Sequence, residues 1–177
     1  MNETLMRLIE ANRAYAESSG FCGNVSEKRR EETASAQKPY AVIVTCSDSR
    51  VIPEAIFSAG IGELFVIRTA GNVIGASETA SILYAVRHLH TDTVVILGHT
   101  CCGAVNAALH GEFEGAVGVV TKRIKNAVGD ETDPYRACVK NVRQGVADAE
   151  EALCGAGVAV VGAIYDIQSG KVAILDN

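Results

Sequence analysis

The chain reads as an α/β protein: a mainly parallel β-sheet, about four parallel strands plus an antiparallel edge strand, flanked by helices and preceded by an N-terminal helical arm. Three observations carry this reading. Short runs of β-branched and apolar residues recur along the chain, each too brief for a helix. Longer segments with apolar residues at helical spacing lie between them, and such alternation implies parallel strands covered on both faces. The last two apolar runs are joined only by a turn at Gln168-Ser169-Gly170, too short for a crossover, so the final strand turns back antiparallel.

Taken in order, Leu5, Leu8, Ile9 and Ala16 share one face, so residues 3–17 form an amphipathic helix whose apolar stripe Asn12 interrupts. Ser18 to Lys38 is mostly polar, with two glycines, and reads as an arm with some helix around Glu27 to Ser35. Its basic run, Lys28-Arg29-Arg30, is flanked by Glu27, Glu31 and Glu32 and reads as a solvated helix face. Strands are expected at Tyr40 to Thr45, Glu63 to Arg68, Thr93 to Gly98, Val158 to Ile164 and Lys171 to Leu175. Helices are expected at Ser77 to His88, Ala104 to Leu109, Val117 to Val128 and Pro134 to Cys154. Nothing resembles a linker or repeat, so residues 1–177 read as one domain: an arm over 1–38 and an α/β core over 39–177.

Composition narrows the function. With 177 residues and 48% hydrophobic content, the chain can bury one full core. A net charge of -5 with no basic stripe argues against nucleic acid as a partner. No stretch approaches the roughly 20 apolar residues of a membrane span, and the polar start Met1-Asn2-Glu3-Thr4 does not read as a signal peptide. The expected location is therefore cytoplasmic, where six cysteines are thiols or metal ligands rather than disulfides. Gly71-Asn-Val-Ile-Gly75 is not followed by Gly-Lys-Ser/Thr, so nucleotide binding is not expected.

Two strand ends concentrate chemistry. The first expected strand runs into Cys46-Ser-Asp48-Ser-Arg50, and the third into Gly98-His99-Thr-Cys101-Cys102-Gly103. Ligands of open α/β sheets gather beyond the carboxyl ends of strands where strand order reverses. If these two strands are neighbours, Cys46, His99 and Cys102 could converge. Two thiolates and an imidazole suit zinc, and three protein ligands leave a fourth position open, the mark of a catalytic site. Asp48 is near enough either to fill that position or to hydrogen-bond what does. Gripped in two parallel hydrogen bonds by Arg50, it stays ionised and turned from the metal; released, it could bind zinc itself.

The stretches "CSDSRV", "GELFVIRTAGN" and "LGHTCCGAVNAA", with "LIEANRAYA" before them and "KNVRQ" and "GAIYDIQSGKV" after, resemble the β-class carbonic anhydrases over most of the chain. The resemblance implies Cys46, His99 and Cys102 as ligands of one zinc ion per subunit, with Asp48 and Arg50 as a catalytic dyad. It implies reversible hydration of carbon dioxide to bicarbonate and a proton by a zinc-bound hydroxide, the work of a zinc lyase. Backbone N–H groups near Cys102 and Gly103 are candidates for holding the developing charge. Implied partners are the small-molecule substrate and further copies of the chain, as a homodimer or a homotetramer built from two dimers, with N-terminal helices embracing the neighbouring subunit. Two thiolates donate more charge than imidazoles do, so the water should be less acidic than at a three-histidine zinc site, where it titrates near ~7, and activity should favour alkaline pH.

The chain departs from the family pattern in places. Thr69 stands where Asn is common, Cys101 where a polar or basic residue is usual, and Ile43 where some bacterial members carry the tryptophan of a regulatory bicarbonate pocket. H-x-x-C spacing favours Cys102 over Cys101 as the ligand. His88, His90 and His110 are proton-shuttle candidates by pKa alone; Arg68 could hold the site loops or a neighbouring subunit, or serve simply on the surface. Cys22, Cys138 and Cys154 read as packing or incidental, and Gly71, Gly75 and Gly103 as turn and close-packing residues. Two rival functions share the fold: hydrolysis of carbonyl sulfide or carbon disulfide, and a non-catalytic structural zinc protein in which Asp48 closes the fourth position.

Overall fold

The computed structural model describes residues 2–18 and 20–176. Five strands form one sheet: β1 (Ala41–Cys46), β2 (Leu64–Thr69), β3 (Thr93–His99), β4 (Ala159–Tyr165) and β5 (Val172–Ile174). Their spatial order is β2-β1-β3-β4-β5. β1 runs parallel to β2 and β3, and β3 parallel to β4, while β5 pairs antiparallel with β4. The expected fold class and the antiparallel edge are both present.

Burial follows position in the sheet. Every residue of the central strands β1 and β3 is buried, which is why both read as unbroken apolar runs. On the β2 edge only Ile67 is buried. Side chains alternate across the sheet, so each strand feeds two cores. Val42, Val44, Val94 and Ile96 face one layer of helices: α4 (Ala76–Leu89), α5 (Gly103–Leu109), α6 (Gly118–Val128) and α7 (Pro134–Ala152). Ala41, Ile43, Val95 and Leu97 face the other, beneath α1 (Glu3–Ser18) and the short α3 (Pro53–Ile56). The arm carries α2 (Glu27–Thr33), capped by Ser26, whose hydroxyl accepts from the Arg29 N–H.

The sequence expectation differs in detail. Strand ends move by a residue because pairing, not apolarity, sets them: Cys46 pairs with Thr69, and His99 with Tyr165. The helix expected to reach Cys154 ends at Ala152. The short helix α3 and the 3₁₀ turn Ala70–Asn72 had no periodic signal. Asn12 does not weaken the α1 face; it is a buried peg. Its Nδ2 donates to the carbonyls of Ile56 (3.2 Å) and Gly170 (2.9 Å), and its Oδ1 accepts from the Val172 N–H (2.8 Å). Those bonds tie α1 to α3 and to the β4–β5 hairpin.

Two glycines explain close approaches. A Cβ on Gly98 would lie 2.4 Å from Cγ2 of Val142, so α7 packs against β3 only because that side chain is missing. Gly71 sits at φ +64°, and a Cβ there would lie 2.7 Å from Cδ1 of Ile124. The chain leaves β1 for β2 on one side and returns to β3 on the other. The strand order therefore reverses between β1 and β3, which puts a ligand crevice at their carboxyl ends.

Candidate metal centre

Cys46 closes β1, His99 closes β3, and Cys102 is the N-cap of α5. The backbone turns between the last two at Cys101, a non-glycine residue at φ +56°. All three side chains are buried, and their ligand atoms lie within 4.8 Å of one another. The two sulfurs stand 3.9 Å apart; two sulfurs each about 2.3 Å from one tetrahedral zinc stand about 3.8 Å apart.

The imidazole supplies the sharpest test of fit. His99 Nδ1 lies 2.9 Å from the Thr100 carbonyl, an acceptor, so Nδ1 carries the proton and Nε2 a lone pair. That Nε2 is buried without a hydrogen-bond partner. A buried nitrogen lone pair beside two thiols is a costly arrangement alone and a satisfied one around a cation. Thr100 is itself fixed: its N–H donates to the Tyr165 carbonyl (3.0 Å), its hydroxyl donates to Asp166 (3.3 Å) and accepts from the Ile167 N–H (3.1 Å).

Electrostatics agree. The Cys46 thiol falls to about 4, chiefly because Cys102 donates to it, with His99 and the Gly71 N–H helping against the cost of burial. Cys102 moves the opposite way, raised by holding its proton on Cys46 and by burial. One thiol ionises at the other's expense; a divalent cation removes that conflict by favouring both thiolates. In His99, burial lowers the pKa, but the neighbouring Cys46 thiolate outweighs it and the net direction is upward.

Arg50 grips Asp48 with both prongs, Nε to Oδ1 at 2.9 Å and Nη2 to Oδ2 at 2.7 Å, and its backbone N–H adds a third bond at 3.0 Å. These bonds hold the carboxyl well below the usual carboxylate range. Arg50 Nη2 also donates to the Cys101 carbonyl at 3.2 Å, joining the two motif loops. Held this way, Asp48 Oδ2 remains 3.9 Å from His99 Nε2. Arg68, though exposed, braces the same loop through the carbonyls of Cys46 (3.3 Å) and Asp48 (2.8 Å).

Other candidates do not converge. His88 and His90 lie at the far end of α4, near where β3 begins. His99 is at the other end of β3, about 20 Å along the strand. His110 caps the exposed end of α5. Cys22 and Cys154 are exposed, as is Cys101. Cys138 is buried on α7 in the core that contains Cys46 and Cys102, with burial pushing its thiol up to about 11. Gly103 opens α5 with free space around its α-carbon, so it is not a close-packing glycine. Sequence reasoning assigned no role to Asn141, whose Nδ2 donates to the Gly71 carbonyl at 2.7 Å. Its signal was present: an amide among Ala137, Cys138, Val142 and Gly145 on the buried stripe of α7.

Comparison with known proteins places these features. A family model described as carbonic anhydrase matches residues 41–172. The chain is 34% identical to carbonic anhydrase 2 of Mycobacterium tuberculosis, over 96% of this chain and 90% of that protein. Its structure is similar to the β-carbonic anhydrase CafA of Aspergillus fumigatus, with a TM-score of 0.77 and 29% identity, covering 98% and 91% of the two chains. It also matches a tetrameric β-carbonic anhydrase of Sordaria macrospora with a TM-score of 0.71, 24% identity and coverage of 99% and 98%.

Proposed function

The chain belongs to the carbonic anhydrase family, in its β class, and on that premise we propose that Cys46, His99 and Cys102 are its zinc ligands and that Asp48 and Arg50 are its catalytic dyad. The protein is a zinc enzyme that interconverts carbon dioxide and bicarbonate. The single observation that supports the ligand assignment best is the buried, partnerless Nε2 of His99 beside two buried sulfurs.

When bound, zinc supplies Lewis acidity, which makes water acidic enough to act as a nucleophile near neutral pH. The chain's own groups do the rest. Asp48, fixed by Arg50, offers Oδ2 as an acceptor for the O–H of the reacting water, so a lone pair is turned toward the substrate carbon. Arg50 keeps Asp48 ionised and bridges to the Cys101 carbonyl, holding the two loops at fixed spacing. Arg68 keeps the Cys46–Asp48 backbone in place. The Gly103 N–H is the proposed donor to the negative charge that grows on the product. The matched relatives described above are all carbonic anhydrases, which favours carbon dioxide over carbonyl sulfide or carbon disulfide and favours a catalytic over a structural metal.

Three coarser features complete the reading. The chain acts as one domain, an arm over 1–38 and a core over 39–177. It assembles as a homodimer or homotetramer, which is supported by exposed apolar side chains such as Phe21, Val25, Ile52 and Tyr84. It works in the cytoplasm, a reading supported by its free cysteines.

The test is stopped-flow hydration of carbon dioxide across pH on metal-analysed Asp48→Ala. We expect zinc content and fold to be retained and turnover to fall about 100-fold. Unchanged turnover removes Asp48 from the mechanism, and a melting-temperature loss in an inactive parent enzyme returns the structural reading.

A further inference from the structure

Among the described residues, the relay from α7 to the metal group is the feature that the mechanism above leaves unused. Gly71 lies in the 3₁₀ turn after β2, with φ +64° and ψ 25°. Its N–H donates to Cys46 Sγ at 3.2 Å, in a buried contact. Its carbonyl accepts from Asn141 Nδ2 at 2.7 Å, also buried. The two groups flank one α-carbon, in the residue type with the softest backbone. Left to itself, such a glycine rotates freely about both dihedrals. Here the space is closed on the side-chain face by Ile124 and Ala104, and the carbonyl is pinned by an amide from a different element.

We propose that Asn141 is a positioning residue for the metal: by fixing Gly71 it aims the Gly71 N–H at the Cys46 sulfur and so sets how much charge that thiolate gives to zinc. The inference rests on Cys46 being a ligand. A hydrogen bond to a ligating sulfur withdraws electron density from it, and such outer groups tune the metal as the ligands do. The consequence is specific to this site. Two thiolates over-supply charge to zinc, and one buried N–H···S bond offsets part of that supply without changing a ligand. Asn141 qualifies because its side chain is buried and its donor is already committed to the Gly71 carbonyl. A leucine, with the same number and branching of side-chain heavy atoms, could occupy the site but could not hold the carbonyl.

The experiment uses the whole chain loaded with cadmium-113. In the wild type, the Gly71 amide proton should show scalar coupling to the metal through the Cys46 sulfur, a readout that needs no variant to fold. In Asn141→Leu, which keeps the number and branching of side-chain heavy atoms, and Asn141→Ala, which does not, the coupling should fall by at least half. The sulfur-to-metal charge-transfer band of the cobalt-loaded variants should move to longer wavelength, and zinc should be held about 10–100-fold more weakly against a chelator. Packing alone predicts a lower melting temperature for the alanine variant, little change for the leucine variant, and coupling and band unmoved in both. That result, or a wild type that binds cadmium without coupling, overturns the inference. A folded chain that takes up no cadmium strikes instead at the ligand assignment beneath it.

Discussion

Cys101 and Cys102 are adjacent in sequence and opposite in environment. Cys102 is buried beside Cys46 Sγ, whereas Cys101 is exposed at a left-handed backbone angle and contributes its carbonyl, not its sulfur, to the site. Spacing already favoured Cys102, because H-x-x-C returns the chain toward the histidine; what spacing could not convey is that Cys101 makes the turn. The substitution Cys101→Ser should leave zinc content at one per chain and change carbon dioxide hydration by less than about twofold, since the serine keeps the carbonyl that Arg50 holds. Cys102→Ser removes a buried sulfur and should abolish stoichiometric zinc. Metal analysis after gel filtration measures both, and zinc lost from the Cys101 variant would exchange the two assignments. The Asp48–Arg50 pairing was legible because the two lie two residues apart in one loop. Asn141 was not, because its partner lies 70 positions away and no local rule pairs an amide with a distant glycine carbonyl.

Helices and strands were legible wherever an apolar period ran uninterrupted, and their ends were not, because pairing and caps set the ends. Asn12 marks the limit of period reading. Its polar atoms answer two carbonyls and one N–H that no periodicity foretells. Asn12→Leu restores the apolar stripe yet should destabilise the protein by about 2–4 kcal/mol, since buried groups left without partners cost about 1–3 kcal/mol each. Urea unfolding with an unchanged slope would measure this, and a stabilised variant would show that the peg is dispensable. The β4–β5 hairpin offers a pH test. Asp166 lies below the usual carboxylate range, first through the Ser169 side chain and N–H, with Thr100 assisting. A folded pKa below the unfolded value of about 3.9 means that the ionised group stabilises the fold fully above that pH, and loses the contribution as pH falls toward the folded value. The carboxylate lies close to solvent, so screening should keep the effect below about 1 kcal/mol. Asp166→Asn should lower stability near neutrality by up to that amount and flatten the acid limb of the stability curve below pH ~4, where variant and parent converge; an identical acid limb would remove Asp166 from the account.

The site exists because two chain segments end side by side, and that adjacency belongs to the whole molecule. Sequence could state the condition, that the strands ending near Cys46 and His99 be neighbours, but only strand order satisfies it: β1 lies between β2 and β3, so the reversal falls between the two strands that carry Cys46 and His99. The ladders that set this order are backbone bonds between strands whose side chains are wholly buried, and the two cores are filled from opposite faces. None of that framework depends on an ion. Zinc should therefore add stability by mass action rather than create the fold. With free zinc at 1,000 times its dissociation constant, the gain is about 4 kcal/mol. At roughly 2–4 °C per kcal/mol for a chain of this size, the chelated protein should melt about 8–16 °C lower. It should also lose activity, keep its far-ultraviolet circular dichroism at 25 °C, and recover turnover when zinc is returned. The retained circular dichroism separates two architectures. If chelation collapsed the secondary structure, the metal would be a folding nucleus in the manner of a zinc finger, and the claim that the parallel sheet assembles the site in advance of its ion would be wrong.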